Sequence, residues 1–285
     1  MAQGTNSISS HVRIGICAPS TPFSRDAADR VIALAADSHP QAELIFAEQC
    51  FLVEGHFAGS DRQRADSFVA LANDPTIDAI WFARGGYGAA RMAETAIGRL
   101  NDASKGKIYL GYSDAGNLLG ALYRADIGRV AHGPMPTDIG RDEGELAVRR
   151  ALDWIVHQPS AVLEPGLTGG EKYAAFNLMT LAMMTGTSLM PDLRGHVLLV
   201  EEISEYLYAF DRAMFHLCSN LAAHGLAGIR LGHVGDIPDN DRPFGESPEE
   251  IARRWCETSA IPYLGRAEIG HDAENRIVPF GLLQL

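Results

Sequence analysis

The chain has 285 residues, room for two domains of about 150 residues each, with 21% charged residues, 46% from the AVILMFWYC set and a formal net charge of −12. That balance is globular throughout, and its negative sign argues against the basic footprint that nucleic acid or an anionic membrane requires. Residues Met1 to Ser10 carry neither a basic n-region nor an apolar h-region, and no later apolar run reaches membrane-spanning length, so a cytoplasmic protein is expected. Cys17, Cys50, Cys218 and Cys256 are scattered, without a C-x-x-C pair or a histidine at ligand spacing. Buried free thiols are expected, and neither metal nor cofactor.

The first half alternates apolar runs of strand length with amphipathic runs of helix length, the pattern of βαβ units on a parallel sheet. Strands are predicted near Val12–Cys17, Glu43–Ala47, Ile77–Ala83, Ile108–Gly111 and Arg129–Ala131. Ser24 and Ser60 stand as N-caps before acidic first turns, opening helices at Arg25 and Asp61. Ligands of such sheets collect beyond the carboxyl ends of the strands, and two loops there stand out. The first, Arg84-Gly-Gly-Tyr-Gly-Ala-Ala-Arg91, lets backbone approach a ligand closely. It fails the dinucleotide spacing, because Gly86-Tyr-Gly88 would need glycine where Arg91 stands. A tight turn is its plainer use. The second, Gly111-Tyr-Ser-Asp114, joins a buried strand to the helical run Asn117–Tyr123. A serine at such an apex projects its hydroxyl off the sheet edge, with the Asp114 N–H aimed at an anion forming beside it. Ser113 as an ordinary helix N-cap competes with that reading.

Beyond an amphipathic helix from Glu143 to His157, residues 159–174 contain Pro159, Pro165, Gly166, Gly169 and Gly170 and read as a linker. Domains are therefore expected at 1–158 and 175–285. The second holds a helix over Asn177–Met190, a strand His196–Glu202 ending in two acids, a helix over Tyr206–Leu226, and a capping box at Ser247-Pro-Glu-Glu250 opening a helix to Thr258. Two strand-like pieces follow, near Tyr263–Ile269 and Arg276–Leu283. His196, His216, His224 and His233 show no H-x-x-x-H spacing.

Several segments, in order, resemble the LD-carboxypeptidase family, serine peptidases that include murein-recycling enzymes and a microcin-immunity branch. They are Asp74-Pro-Thr-Ile-Asp-Ala-Ile-Trp-Phe-Ala-Arg-Gly-Gly-Tyr-Gly88, Gly111-Tyr-Ser-Asp114, His132-Gly-Pro-Met135, Asn177-Leu178 with Thr185-Gly-Thr187, Val200-Glu-Glu202 with Asp211-Arg212, and Ile269-Gly-His271. The resemblance implies an α/β protein, with an N-terminal Rossmann-like parallel-sheet domain carrying the nucleophile and a smaller C-terminal mixed α/β domain supplying the rest of a triad. It assigns Ser113 as nucleophile, His271 as general base and Glu201 as the acid orienting it, with the N–H groups of Asp114 and Gly86 meeting the oxyanion. His132 reads as a structural histidine.

This chain departs from the family at Ala175-Phe176, where a glycine pair is usual, at Asp272 after Gly270-His271, and at Glu201-Glu202, where two glutamates compete for one role. Both Ala175-Phe176 and Asp272 are expected to bear on the substrate cleft. The partner implied is a small peptide, a murein tetrapeptide losing terminal D-Ala, with a homodimer left open. Arg84 and Arg91, flanking the glycine loop, are the cations expected to hold the substrate carboxylate. The alternatives are an amide hydrolase of microcin-immunity type acting on a nucleotide-peptide conjugate, a binding protein with a degenerate site, and an α/β-hydrolase.

Overall fold

A computed structural model describes residues 11–221 and 225–284. The first ten residues, and the part of the expected Tyr206–Leu226 helix that includes His224, lie outside the described residues. Five parallel strands, β1 (Val12–Cys17), β2 (Ala42–Phe46), β3 (Ala79–Phe82), β4 (Ile108–Gly111) and β5 (Arg129–His132), form a first sheet. Between and after them run α1 (Arg25–Ser38), α2 (Asp61–Asn73), α3 (Ala89–Ile97), α4 (Gly116–Arg124) and α5 (Gly144–His157). Ser24 accepts from the Ala27 N–H and Ser60 from the Gln63 N–H, the N-caps the sequence leads one to expect, and the Gln63 side chain accepts in return from the Ser60 N–H to complete a capping box. The inner strands β3 and β4 are buried at every residue, which is why they read as unbroken apolar runs.

The second sheet holds parallel β6 (Lys172–Asn177), β7 (His196–Ile203), β8 (Gly228–Gly235) and β9 (Tyr263–Arg266). Its helices are α6 (Leu178–Met184), α7 (Leu207–Leu221) and α8 (Pro248–Thr258). The tail divides between the sheets. β10 (Val278–Pro279) pairs antiparallel with β5, and β11 (Gly281–Leu282) pairs antiparallel with β6. The orders are β10-β5-β4-β3-β1-β2 and β11-β6-β7-β8-β9.

Several boundaries differ from the sequence expectation. β8 has no counterpart there, because glycines at 228, 232 and 235 and the polar Arg230 and His233 mask its buried Ile229 and Leu231. β6 starts at Lys172, inside the expected linker, and α6 stops at Met184, where Thr185 caps it and Gly186 follows at φ 82°. The strand expected over Tyr263–Ile269 ends at Arg266.

Alternate residues of both sheets feed two buried layers that cross the whole molecule. Tyr109, Ala174, Phe176, Leu198 and Val200 enter one, and Ile108, Leu110, Tyr173, Ala175, Val197 and Leu199 enter the other. Both halves of the chain thus share their apolar cores. Among the described residues no helix is long and apolar enough to cross a membrane, no group of three or more His, Cys, Asp or Glu could hold a metal, and Cys17, Cys50, Cys218 and Cys256 are buried free thiols.

Candidate active site

β4 ends at Gly111, and the chain turns sharply through Ser113, whose φ of 58° is a conformation L-residues adopt at a cost. The turn is tight because strand and helix nearly touch: a Cβ built on Gly111 would lie 3.0 Å from Phe82 Cδ2 and 3.4 Å from the Ala115 methyl. Glycine before the serine therefore leaves room for alanine after it. Ser113 does not act as an N-cap. Ala115 occupies that position of α4 without a side-chain bond, and the Ser113 hydroxyl makes no hydrogen bond among the described residues. The glycine loop presses on this turn from β3. A Cβ on Gly85 would lie 2.6 Å from Ser113 Oγ, and the Gly85 carbonyl accepts from Thr21 Oγ1 at 2.8 Å. The neighbouring Gly86, at φ 108°, has an N–H with no acceptor among the described residues.

Two buried groups hold these loops together. The Asp114 carboxylate accepts from Ser20 Oγ at 2.5 Å, the Ala89 N–H at 2.8 Å and Asn117 Nδ2 at 3.1 Å, so it ties together the segments after β1, β3 and β4. Burial raises its pKa against the pull of these donors. The fully buried Arg64 donates from Nη1 to the carbonyls of Pro19 at 2.5 Å and Gly88 at 2.8 Å. It goes unnoticed in the sequence, because Asp61-Arg-Gln-Arg64 looks like a solvated helix start.

The second half contributes a histidine and an acid. Glu201, wholly buried at the end of β7, accepts at Oε2 from His271 Nδ1 across 2.7 Å. Burial works against an imidazolium there, but the charge and hydrogen bond of Glu201 outweigh it, and the pKa of His271 is raised above its ordinary 6.5. The His271 ring lies 4.7 Å from the ring of Tyr112, the residue before Ser113. Glu202, one position on, is committed elsewhere. It accepts from Asn177 Nδ2 at 2.7 Å, the Met179 N–H at 2.8 Å and the Ile203 N–H at 2.9 Å, while burial pushes its pKa up to about 7. The structure thus separates two acids that strand alternation cannot rank, since both faces of β7 are buried.

Two unequal hollows have Ile203 in both of their linings. One of about 510 Å³ is lined by Gly86, Ser113, Asp114, Asn177 and Glu202, among others. The other, about 250 Å³, is lined by His271, Asp272, His233 and Arg141. Arg84 and Arg91 line neither. Arg84 is half-buried and donates to the Pro22 carbonyl at 3.0 Å, and Arg91 is bound to Asp61 with both carboxylate oxygens 3.0 Å from its Nε. The glycine loop they flank turns its backbone, not these side chains, toward Ser113. Ala175 and Phe176 are core residues that line neither hollow, whereas Asp272 does face the smaller one and binds His233. His132 is wholly buried, bonded to Asn275 Oδ1 at 3.1 Å and lowered by burial to about 4, so it is neutral.

Residues 14–133 match the LD-carboxypeptidase N-terminal domain and residues 172–283 the LD-carboxypeptidase C-terminal domain. A murein tetrapeptide carboxypeptidase of Pseudomonas aeruginosa is 29% identical over 248 residues, which cover 79% of this chain and 78% of that relative. Among solved structures, a muramoyltetrapeptide carboxypeptidase from Oxalobacter formigenes superposes with a TM-score of 0.79 at 24% identity, covering 94% of this chain and 93% of the other. The microcin C7 self immunity protein MccF does so with a TM-score of 0.77 at 20% identity, covering 95% and 91%. At these identities the two solved structures speak for the fold.

Proposed function

The chain belongs to the LD-carboxypeptidase family, and from that membership we propose that it is a serine carboxypeptidase that cleaves the amide between an L-configured centre and a C-terminal D-amino acid, the terminal D-Ala of a murein tetrapeptide. The observation that carries this reading is the 2.7 Å bond between buried Glu201 and His271 Nδ1, with the His271 ring 4.7 Å from that of Tyr112, the residue before the strained turn of Ser113. With Nδ1 donating to Glu201, Nε2 is the ring atom left to accept the serine proton. Ser113 Oγ then attacks the scissile carbonyl carbon, and the oxygen that gains charge is met by the N–H groups of Gly86 and Asp114. The imidazolium, stabilised by Glu201, returns its proton to the leaving amine, and water resolves the acyl-enzyme by the same route. No step calls on a metal.

The test is mass spectrometry of murein tetrapeptide incubated with the pure protein, with and without EDTA, beside Ser113→Ala. Release of D-Ala by the wild type, unaffected by EDTA, and a loss on the order of 10⁴-fold or more in the variant are expected, because triad members act as a unit. A wild type that releases no D-Ala, or a variant within about tenfold of it, would sink this reading.

A further inference from the structure

A carboxypeptidase differs from other amidases in reading the free carboxylate of the residue it releases. Chemistry limits where that reader can sit. The leaving nitrogen has to come within hydrogen-bond reach of His271, which protonates it, and in an α-amino acid the carboxylate is only two bonds from that nitrogen. The cation must therefore face the hollow that His271 lines.

The larger hollow beside Ser113 is the wrong place. Among the described residues its lining includes Glu94, Asp114, Glu202 and Glu205 and no Lys, Arg or His. The smaller one is lined by His271, His233 and Arg141, with Asp142 and Asp236 exposed at its rim. His233 is engaged with Asp272 through Nδ1. Arg141 is held from behind and left open in front. Its Nε donates to Asp138 Oδ1 at 2.9 Å, Asp138 is 1% exposed, and the same oxygen accepts from Tyr112 OH at 2.7 Å. The Arg141 side chain keeps 32% of its surface, and neither Nη has a partner among the described residues. A hollow of about 250 Å³ also suits one small amino acid, whereas about 510 Å³ beside Ser113 suits the longer acyl portion.

We propose that Arg141 is the specificity residue for the leaving group, receiving the C-terminal carboxylate on its two Nη atoms while Asp138 and Tyr112 fix the guanidinium beside His271. A planar fork anchored at Nε and offering two parallel N–H groups matches a carboxylate in bidentate fashion. This assignment rests on the carboxypeptidase reading above and replaces Arg84 and Arg91 in the role of carboxylate holder.

The experiment compares kcat/KM on a peptide ending in D-Ala with that on the same peptide ending in D-Ala amide. It uses the full-length wild type, Arg141→Met and Arg141→Gln, the last keeping a donor for Asp138, with thermal melting to certify each fold. The wild type is expected to prefer the free acid. In both variants that preference should fall on the order of 10²-fold, chiefly through KM, because the lost contact is to a charged group of the substrate. A folded variant that keeps the wild-type preference, or a wild type that cleaves acid and amide equally, would overturn the assignment of Arg141. A wild type that cleaves neither peptide overturns the carboxypeptidase reading itself and this assignment with it.

Discussion

At the scale of single residues, the two neighbouring glutamates of β7 show how one position changes a carboxylate's work. Glu201 gives its charge to His271, and Glu202 spends its oxygens on Asn177, Met179 and Ile203, closing the end of the strand against the start of α6. Glu201→Gln should keep the fold and lower kcat on the order of 10²–10⁴-fold, whereas Glu202→Gln should lower it about tenfold or less, since only the first would belong to the coupled unit. Measuring kcat for both on one substrate checks this, and the opposite ranking would move the role to Glu202. A pH profile gives an independent reading. His271 has to be neutral to act as the proposed general base, and its pKa is raised above 6.5. The acid limb of kcat/KM should therefore fall at a pH above 6.5, and Glu201→Gln should carry it to lower pH by removing the charge that favours the imidazolium. A limb that does not move would mean that another group titrates.

The element that decides the site's geometry is the pair of loops after β3 and β4. Gly85 stands where any side chain would meet Ser113, its would-be Cβ 2.6 Å from Ser113 Oγ and 2.8 Å from Ser113 Cβ. Gly85→Ala is therefore expected to displace the hydroxyl rather than unfold the protein, and a misplacement of about 1 Å can cost 10²-fold in rate. A loss of that order in kcat with a wild-type melting temperature would bear this out, and activity within about threefold would show that the turn yields freely. In the sequence the loop is legible as glycine-rich and able to approach a ligand closely. What it approaches is the serine of the other loop, a contact made by two strands lying side by side in the sheet, β3 beside β4. Sequence spacing between positions 85 and 113 carries no trace of it. The missing strand β8 is the opposite case: its glycines serve close packing, Gly232 against Ile269 and Glu201, and so remove the apolar pattern that would have announced it.

For the molecule as a whole, stability and activity should run in opposite directions with pH near neutrality. Glu202 moves from its ordinary 4.5 to about 7 on folding, and His271 is raised above 6.5. A group whose folded pKa is raised gives stability that is complete below its unfolded value and lost as pH climbs through the folded one. The buried His132, lowered to about 4, has the contrary sign and loses its contribution as pH falls below 6.5. Well above pH 6.5 it is neutral in both states and no longer opposes Glu202 and His271. The melting temperature should then decline from about pH 6.5 to about 8, while kcat/KM rises over the same range. Glu202→Gln should flatten that decline, and a slope identical to the wild type would exclude Glu202 as its source.

The alternating α/β plan, the caps at Ser24, Ser60 and Ser247, and the turn that presents Ser113 can be read from residue order, because these depend on periodicities and contacts within a few residues. The ordered run of motifs also pointed to the family through positions as far apart as 74 and 271. Long-range packing settles what local pattern leaves open. Both faces of β7 are buried, so alternation is silent on which glutamate meets His271, and only the packing of the 269–271 loop against β7 and β8 chooses Glu201. In the same way the tail splits between two sheets, because pairing partners are set by which edges remain open after the rest has folded. Arg64 and Arg141 belong here too. Charge alone marked Arg84 and Arg91 as readily, and what separates the four is where a guanidinium finds its acceptors: buried carbonyls together with Asp61 for Arg64, the Pro22 carbonyl for Arg84, Asp61 without buried carbonyls for Arg91, and for Arg141 one buried carboxylate with an open side toward the smaller hollow.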